Sequence, residues 1–385
     1  MTSVYFDHAA TTPVDPRVLQ AMLPYFAEDY GNASELHRLG RQARSALEAA
    51  RASVAAALGA GDKEIVFTAG GTESDNLALV GYLQRFEPGH LIVGATEHPA
   101  VMETARALNR AGWAVDFVPV DALGMIDLEA YEQAFRDDTR LASVMFANNV
   151  VGTVQPVAEL ARIAHERGAA FHTDAVQAVG SLPIDVKELG VDMLSLSGHK
   201  LYGPKGIGAL YVKRGTRLTP ILHGGGHERR LRSGTENVPG IVGLATALDI
   251  AVAGMPATRA HLEGLRDRLA RGVVEAVPDV TYLGHPTQRL PGNVAFTVRY
   301  IEGESMLLAL DAKGIMVSSG SACASGSLEP SHVILALGLG AEEAHGSMRL
   351  SLGRENTADE ADLFLEVFPP IVEKLRQMSP LYVKG

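Results

Sequence analysis

Between about residues 64 and 212 the chain alternates short apolar, β-branched runs with amphipathic stretches, and this rhythm limits the fold more than any other feature. The expected strands are Glu64–Thr68, Leu91–Thr96, Val115–Val118, Leu141–Ala147, Ala169–Asp174, Asp192–Ser197 and Gly208–Val212. The expected helices include Thr72–Gln84, Ala100–Ala111, Leu128–Phe135 and Val157–Arg167. Strands separated by helices have no hairpin turns available, so they must join by crossovers into a mostly parallel sheet covered by helices. Near Gly254-Met255-Pro256 the rhythm changes. A long helix (His261–Val277), short strands (Asn293–Val298 and Met348–Leu352) and a closing helix (Ala358–Leu375) follow, which reads as a smaller α+β unit. A chain of 385 residues exceeds what one hydrophobic core usually serves, so at least two domains are expected.

Composition removes several function classes. The 46% hydrophobic content is ample for a large core. The net charge of −11, without long runs of Lys or Arg, disfavours nucleic-acid binding. One cysteine excludes an intramolecular disulfide and a cysteine-rich zinc site. No run of 18 apolar residues occurs, so no membrane span is expected. The first residues lack the basic and apolar regions of a signal peptide, and a cytoplasmic location with a reduced thiol is expected.

That single cysteine, Cys323, lies in Ser318-Ser319-Gly320-Ser321-Ala322-Cys323-Ala324-Ser325-Gly326-Ser327-Leu328-Glu329-Pro330. Nothing between Val317 and Leu328 is large and apolar, so the stretch lacks the residues to bury itself. Lone cysteines are commonly small buried hydrophobes. Here the composition favours a reactive thiol carried on a mobile loop, about residues 318–330, that turns at Gly320 and Gly326.

Three further segments carry chemistry. Lys200 ends Ser195-Leu196-Ser197-Gly198-His199-Lys200, directly after a buried-looking strand. A lysine there is often only solvated, but in a partly buried pocket it can form a Schiff base with an aldehyde, with Ser197 and His199 able to bind an anion beside it. Asp174 ends the strand of Phe171-His172-Thr173-Asp174, where open α/β sheets bind ligands. It can cap the next segment or hold a protonated pyridine nitrogen. Thr68-Ala69-Gly70-Gly71-Thr72 joins a strand to a helix and can be a plain capped turn or a phosphate cradle. It matches neither the ATP nor the dinucleotide fingerprint. Together the three provide an aldehyde partner, a ring-nitrogen partner and a phosphate site, the elements that pyridoxal phosphate needs.

At this point the sequence resembles the fold-type I pyridoxal-phosphate enzymes of the class V aminotransferase group. More narrowly, it is similar to the cysteine desulfurases of the nitrogen-fixation and iron–sulfur-assembly type. The resemblance rests on Asp7-His8-Ala9-Ala10-Thr11-Thr12-Pro13, Gly71-Thr72-Glu73-Ser74-Asp75-Asn76, Thr96-Glu97-His98, Asn148-Asn149, Asp174-Ala175-Val176-Gln177, Ser197-Gly198-His199-Lys200, Arg232-Ser233-Gly234-Thr235-Glu236-Asn237, Ser319-Gly320-Ser321-Ala322-Cys323 and Arg349-Leu350-Ser351-Leu352-Gly353-Arg354. These run in one order through nearly the whole chain. The cysteine segment resembles that of the group with a long loop.

The resemblance implies an α/β fold of type I, with a large domain (14–255) whose mostly parallel mixed sheet is sandwiched by helices. A small α+β domain would comprise 1–13 and 256–385 and carry the cysteine loop. It implies a Schiff base between pyridoxal 5′-phosphate and Lys200, with Asp174 on the pyridinium nitrogen, Gln177 on the ring oxygen and His98 stacked on the ring and moving protons. Gly71, Thr72, Ser197 and His199 would hold the phosphate, and Thr235 would reach it from a neighbouring subunit of a homodimer. Asn149 and Arg354 would orient the substrate, L-cysteine, with Arg354 on its carboxylate. Cys323 would take sulfur as a persulfide and pass it to an acceptor such as an iron–sulfur scaffold, and is also a candidate ligand of a transient cluster. A class V aminotransferase and a selenocysteine lyase are the alternatives. The sequence departs from the family pattern at His8, at Val150-Val151 after the Asn-Asn pair, and at His227 and Arg230 in Gly224-Gly225-Gly226-His227-Glu228-Arg229-Arg230.

Overall fold

The computed structural model describes residues 3–319 and 330–382. Cys323, with residues 320–329 of the expected loop, therefore lies outside the described residues.

The chain opens with β1 (Val4–Tyr5) and then builds the large sheet. Its strands are β2 (Ile65–Thr68), β3 (His90–Gly94), β4 (Ala114–Val118), β5 (Thr139–Ser143), β6 (Ala170–Asp174), β7 (Met193–Ser197) and β8 (Gly208–Val212). The seven run in the order β2-β8-β7-β6-β5-β3-β4. The pairs among β3, β4, β5, β6 and β7 are parallel, while β8 is antiparallel to both β7 and β2. Strands β2, β3, β7 and β8 are buried along their whole length, which explains their continuous apolar runs: helices cover both faces. The expected Leu141–Ala147 strand is shorter. Val144 to Ala147 stay buried, but they lead the chain out of the ladder toward Asn148 and Asn149, so their apolar character reflects burial alone.

The second half holds β9 (Val280–Tyr282), β10 (Asn293–Val298), β11 (Ile315–Met316) and β12 (Ser347–Ser351). β10 pairs antiparallel with β12 and β9, and β11 pairs in parallel with β1, so the first residues of the chain lie beside a strand more than 300 positions later. Val4, Phe6, Phe296, Phe364 and Phe368 centre this core, which is separate from the cluster around Leu47, Phe171, Leu194 and Leu244.

A helix runs unbroken from Val238 to Ala276, through the Gly254-Met255-Pro256 segment that reads as a break in the sequence. Pro256 removes one backbone donor and crowds the preceding turn, a cost of about 3 kcal/mol inside a helix. Packing at both ends offsets it. Ile241, Leu244 and Leu248 are buried in the first core, and Leu265, Leu269 and Val273 are buried in the second. The proline falls in the exposed stretch between them. Among the described residues this helix alone is long and apolar enough to cross a membrane by length and composition, although no unbroken run of 18 apolar residues occurs in it; its best window has mean hydropathy 1.7 and is 44% buried. Length and composition are weak evidence of a span, because the core helix of a globular protein passes the same test, and Ile241, Leu244 and Leu248 here are core residues.

Candidate active site

Asp174 and Lys200 are brought together by strand register. β6 and β7 run in parallel with Asp174 opposite Ser195, so the turn after Ser197 rises beside Asp174 at the C-terminal end of the sheet. Asp174 is buried, and its Oδ1 accepts from the Val176 N–H at 2.9 Å. Burial pushes its carboxyl above the ordinary aspartate value, while the Val176 N–H, His98 and Lys200 pull it back. His98 caps the helix Pro99–Arg110, its Nδ1 accepting from Ala100 at 3.1 Å, which leaves the ring proton on Nε2. Burial lowers its pKa, opposed by Asp174 and helped by Lys200 and His332, so the ring is neutral near pH 7.

The opposite wall is the turn between β2 and the helix Gly71–Leu83. Gly70 has φ 153°, open to glycine alone. A Cβ on Gly208 would lie 2.7 Å from the Gly70 Cα, and one on Gly71 would lie 2.8 Å from Val176 Cγ2. The turn is thus pressed between Ser197 on β7 and the segment after Asp174. No side chain caps the N-terminus of this 13-residue helix, so its first amides and dipole face the site. His199 stands beside Lys200. Burial first, then Lys200 and Lys205, push its pKa down to about 4, making it a neutral hydrogen-bonding group.

The N-terminal strap closes the site. Lys200 Nζ donates to the carbonyls of Ala9 at 2.5 Å and Ala10 at 2.8 Å, and Gln177 Nε2 donates to Ala9 at 3.1 Å. Lys200, Gln177, Arg354, His8 and Tyr202 line one cavity of about 640 Å³. Asn149 is buried nearby, its carbonyl accepting from Arg349 Nη1 at 3.1 Å. Thr72 is exposed at the mouth of the Gly70-Gly71 turn. Thr235 stands apart, exposed between Gly234 (φ 113°) and Glu236 on the arm of residues 222–237. The arm is tied to itself by His227, whose Nδ1 accepts from Gly234 at 3.3 Å, and by Ser233, which donates to the Gly225 carbonyl at 2.8 Å.

The other departures also have places. Val150 and Val151 are buried against Val333, Ile334 and Leu337. His8 Nδ1 meets the Ser351 carbonyl at 3.1 Å, and burial lowers its pKa. The strap stands out in the sequence as a motif, but nothing there marks the Ala9 and Ala10 carbonyls as partners of Lys200, or Asp15 and Tyr202 as the residues that hold Arg354. A tyrosine with φ 60° leaves no sequence signal.

A phosphorylated pyridine aldehyde fits these residues: an uncapped helix N-terminus for phosphate, a buried carboxyl for the ring nitrogen and a lysine at the strand end. The chain also matches the family model described as aminotransferase class-V over residues 4–364. It is 53% identical to the cysteine desulfurase IscS of Methanosarcina thermophila over 384 residues, covering 99% of this chain and 95% of that protein. Among solved structures it resembles a NifS-like protein with TM-score 0.92 and 39% identity, over 97% of this chain and 100% of the other. It also resembles SspA in complex with cysteine, with TM-score 0.81 and 38% identity, over 92% of this chain and 100% of the other. Sheet order, lysine turn and strap thus agree with near full-length sequence likeness, and the chain belongs to the class-V aminotransferase family, within its pyridoxal-phosphate-dependent cysteine desulfurases.

Proposed function

We propose that this enzyme converts L-cysteine to L-alanine and receives the sulfur on Cys323 as a persulfide, for transfer to an acceptor protein such as an iron–sulfur scaffold. The observation that carries the reading is the convergence of Lys200, Asp174 and His98 at the strand ends, with Arg354 in the same cavity as Lys200. Pyridoxal phosphate, when bound, supplies the electron sink for charge formed at the substrate Cα. Asp174 would hold the ring nitrogen, Gln177 the ring oxygen, and Gly71, Thr72, Ser197 and His199 the phosphate. Lys200 would carry the cofactor and then move the Cα proton. His98, with its proton on Nε2, would stack on the ring and act as a second proton carrier. Asn149 and Arg354 would hold the amino acid by its polar groups.

Cys323 acts as the nucleophile. Its thiolate attacks the substrate sulfur, an S–S bond forms as the Cβ–Sγ bond breaks, and the released electron pair is taken with a proton by the carbon skeleton that leaves as alanine. Thr235, exposed on its arm, would complete the phosphate site of a second copy, giving a homodimer. The same reading divides the chain into 14–255 and a smaller unit of 1–13 with 256–385, supported by the two separate cores, and places it in the cytoplasm. The relatives' names favour desulfuration over transamination or selenocysteine cleavage.

Alanine and sulfide release from L-cysteine tests the reading. Lys200→Ala should lose both products to background and leave no lysine for borohydride to label. Cys323→Ser should keep the cofactor and its response to L-cysteine but fall to background in persulfide and alanine. Near wild-type release by Cys323→Ser would mean sulfur leaves by another route.

A further inference from the structure

Arg354 is held through three contacts by two residues outside the family motifs, Asp15 and Tyr202. Its Nη2 pairs with Asp15 Oδ2, its guanidinium carbon lies 4.0 Å over the Tyr202 ring, and its backbone N–H donates to Tyr202 Oη at 2.9 Å. Asp15 is only 4% exposed, and it also takes Nε and Nη2 of Arg17 at 3.0 and 2.8 Å. One buried carboxylate is therefore shared by two guanidinium groups, and the trio keeps a net positive charge at the cavity that Lys200 also lines. Glu355, the other carboxylate near Arg354, stands 3.7 Å from Nε, beyond hydrogen-bond distance, whereas both Arg17 donors lie within 3.0 Å of Asp15.

The Tyr202 side of this arrangement is strained. Its φ of 60° lies in the left-handed region, which a tyrosine enters only when its surroundings impose it. They do so here. Tyr202 N–H donates to Thr12 Oγ1 at 2.8 Å, and its carbonyl accepts from Asp15 N–H at 3.0 Å. Thr12 Oγ1 in turn donates to the carbonyl of His199, next to the cofactor lysine, at 3.0 Å. Gly353 passes so close beneath that a Cβ there would collide with His8 and Tyr202. Strap, lysine turn and Arg354 are thus fixed to one another.

We propose that Asp15 and Tyr202 form a clasp that positions the Arg354 guanidinium for an α-carboxylate, and that Arg17, by sharing Asp15, keeps Arg354 from being neutralised. The clasp rests on the reading of Arg354 as the carboxylate-binding residue. An arginine pre-set by stacking and an ion pair loses little rotamer freedom when it closes on a carboxylate. The clasp therefore acts on ligand affinity and leaves the bond-breaking steps alone. Asp15 and Tyr202 are positioning residues; neither is placed to touch the reacting atoms.

Isothermal titration of the holoenzyme with L-alanine, which has the carboxylate and no sulfur, tests this beside steady-state kinetics on L-cysteine. Asp15→Asn keeps an oxygen for the Arg17 N–H that caps the following helix but removes the charge. Both Kd for L-alanine and KM for L-cysteine should rise about tenfold, the scale of one charge-assisted hydrogen bond, with kcat within about twofold. Arg17→Gln should raise both constants as well. If Asp15→Asn does not fold, Tyr202→Asn carries the same test, since asparagine tolerates the left-handed region and removes both ring and hydroxyl. Unchanged Kd and KM in these variants, or a fall in kcat at constant KM, overturns the clasp. Arg354→Ala separates the two readings. If it loses L-alanine binding while Asp15→Asn does not, only the clasp fails. If it binds L-alanine normally, the role of Arg354 fails and the clasp with it.

Discussion

Behind Asp174 lie two more buried carboxyl groups, Asp75 and Glu97. Glu97 Oε1 accepts from Met145 N–H at 2.5 Å, but Glu97 Oε2 and Asp75 Oδ1 are among the buried atoms without a hydrogen-bond partner. Burial, and then the nearness of Asp174 and Glu97, raise Asp75 well above its ordinary value, against a hydrogen bond from Ser195; burial likewise raises Glu97. A carboxyl whose folded pKa lies above its unfolded one contributes stability at low pH and loses it as pH climbs from the unfolded value toward the folded one. Asp75→Asn removes that loss. The stability of the variant relative to wild type should therefore grow as pH rises above the ordinary aspartate value, by up to about 1.4 kcal/mol per pH unit, in melts of the apo protein. A constant difference would show that Asp75 ionises normally. His172 and His199, with pKa values near 3 and 4, act in the opposite sense: their contribution is complete above about 6.5 and lost as pH falls toward those values. Both are present in the two proteins, and above about pH 6.5, where each is neutral folded or unfolded, neither adds slope to the comparison. The positions of Asp174 and Lys200 were legible in the sequence because the first closes a strand and the second follows one in the next turn. Asp15 and Tyr202 were not, because the Asp15–Arg354 pair spans 339 positions and no local pattern marks it.

Among elements, the arm of residues 222–237 has the least regular backbone and a firm anchor. Glu228, Arg229 and Arg230 have φ values of 43°, 57° and 71°, three consecutive residues in the left-handed region. The anchor is a buried fork: Arg51 Nη1 and Nη2 donate to Glu228 Oε2 and Oε1 at 2.8 and 2.7 Å. Glu228 Oε2 also accepts from Phe67 N–H at 2.9 Å, and Arg229 Nη2 donates to the Ile65 carbonyl at 2.6 Å. Removing one member of a buried pair strands the other charge, so Arg51→Ala should lose about 3–5 kcal/mol in urea denaturation. A loss under about 1 kcal/mol would mean the arm is held by other contacts. The βα rhythm was legible because β2, β3, β7 and β8 are buried over their whole length and the helices between them are short. The continuity of Val238–Ala276 was not, because Gly, Met and Pro in succession are stop signals that only packing at both ends overrides.

At the scale of the whole molecule, the arm with Thr235 lies beside exposed apolar residues that the proposed homodimer would cover. Phe26, Tyr30 and Leu36 are exposed, Leu36 at 86%, and Ser34 from the same stretch shares a pocket with His227 and Glu228 of the arm. Sedimentation equilibrium should give twice the 40.8 kDa chain mass, and Phe26→Glu with Leu36→Glu should shift it toward monomer with loss of bound cofactor. A monomer that is fully active at assay concentration would contradict this. The N-terminal strap has a further consequence for how the protein is made. Tyr5 pairs with Met316, Asp7 receives Arg349 at 2.7 Å, and Ala9 and Ala10 carry the carbonyls that steady Lys200. At about 5–20 residues per second, a ribosome takes roughly 20–70 s to travel from Tyr5 to Ser351. From Val212, where the last strand of the large sheet ends, until Arg349 is made, that sheet is whole while Tyr5 and Asp7 still lack their partners. Residues 4–7 are thus among the last to settle, and the strap over Lys200 is not anchored at its outer end until Arg349 and Ser351 have been made.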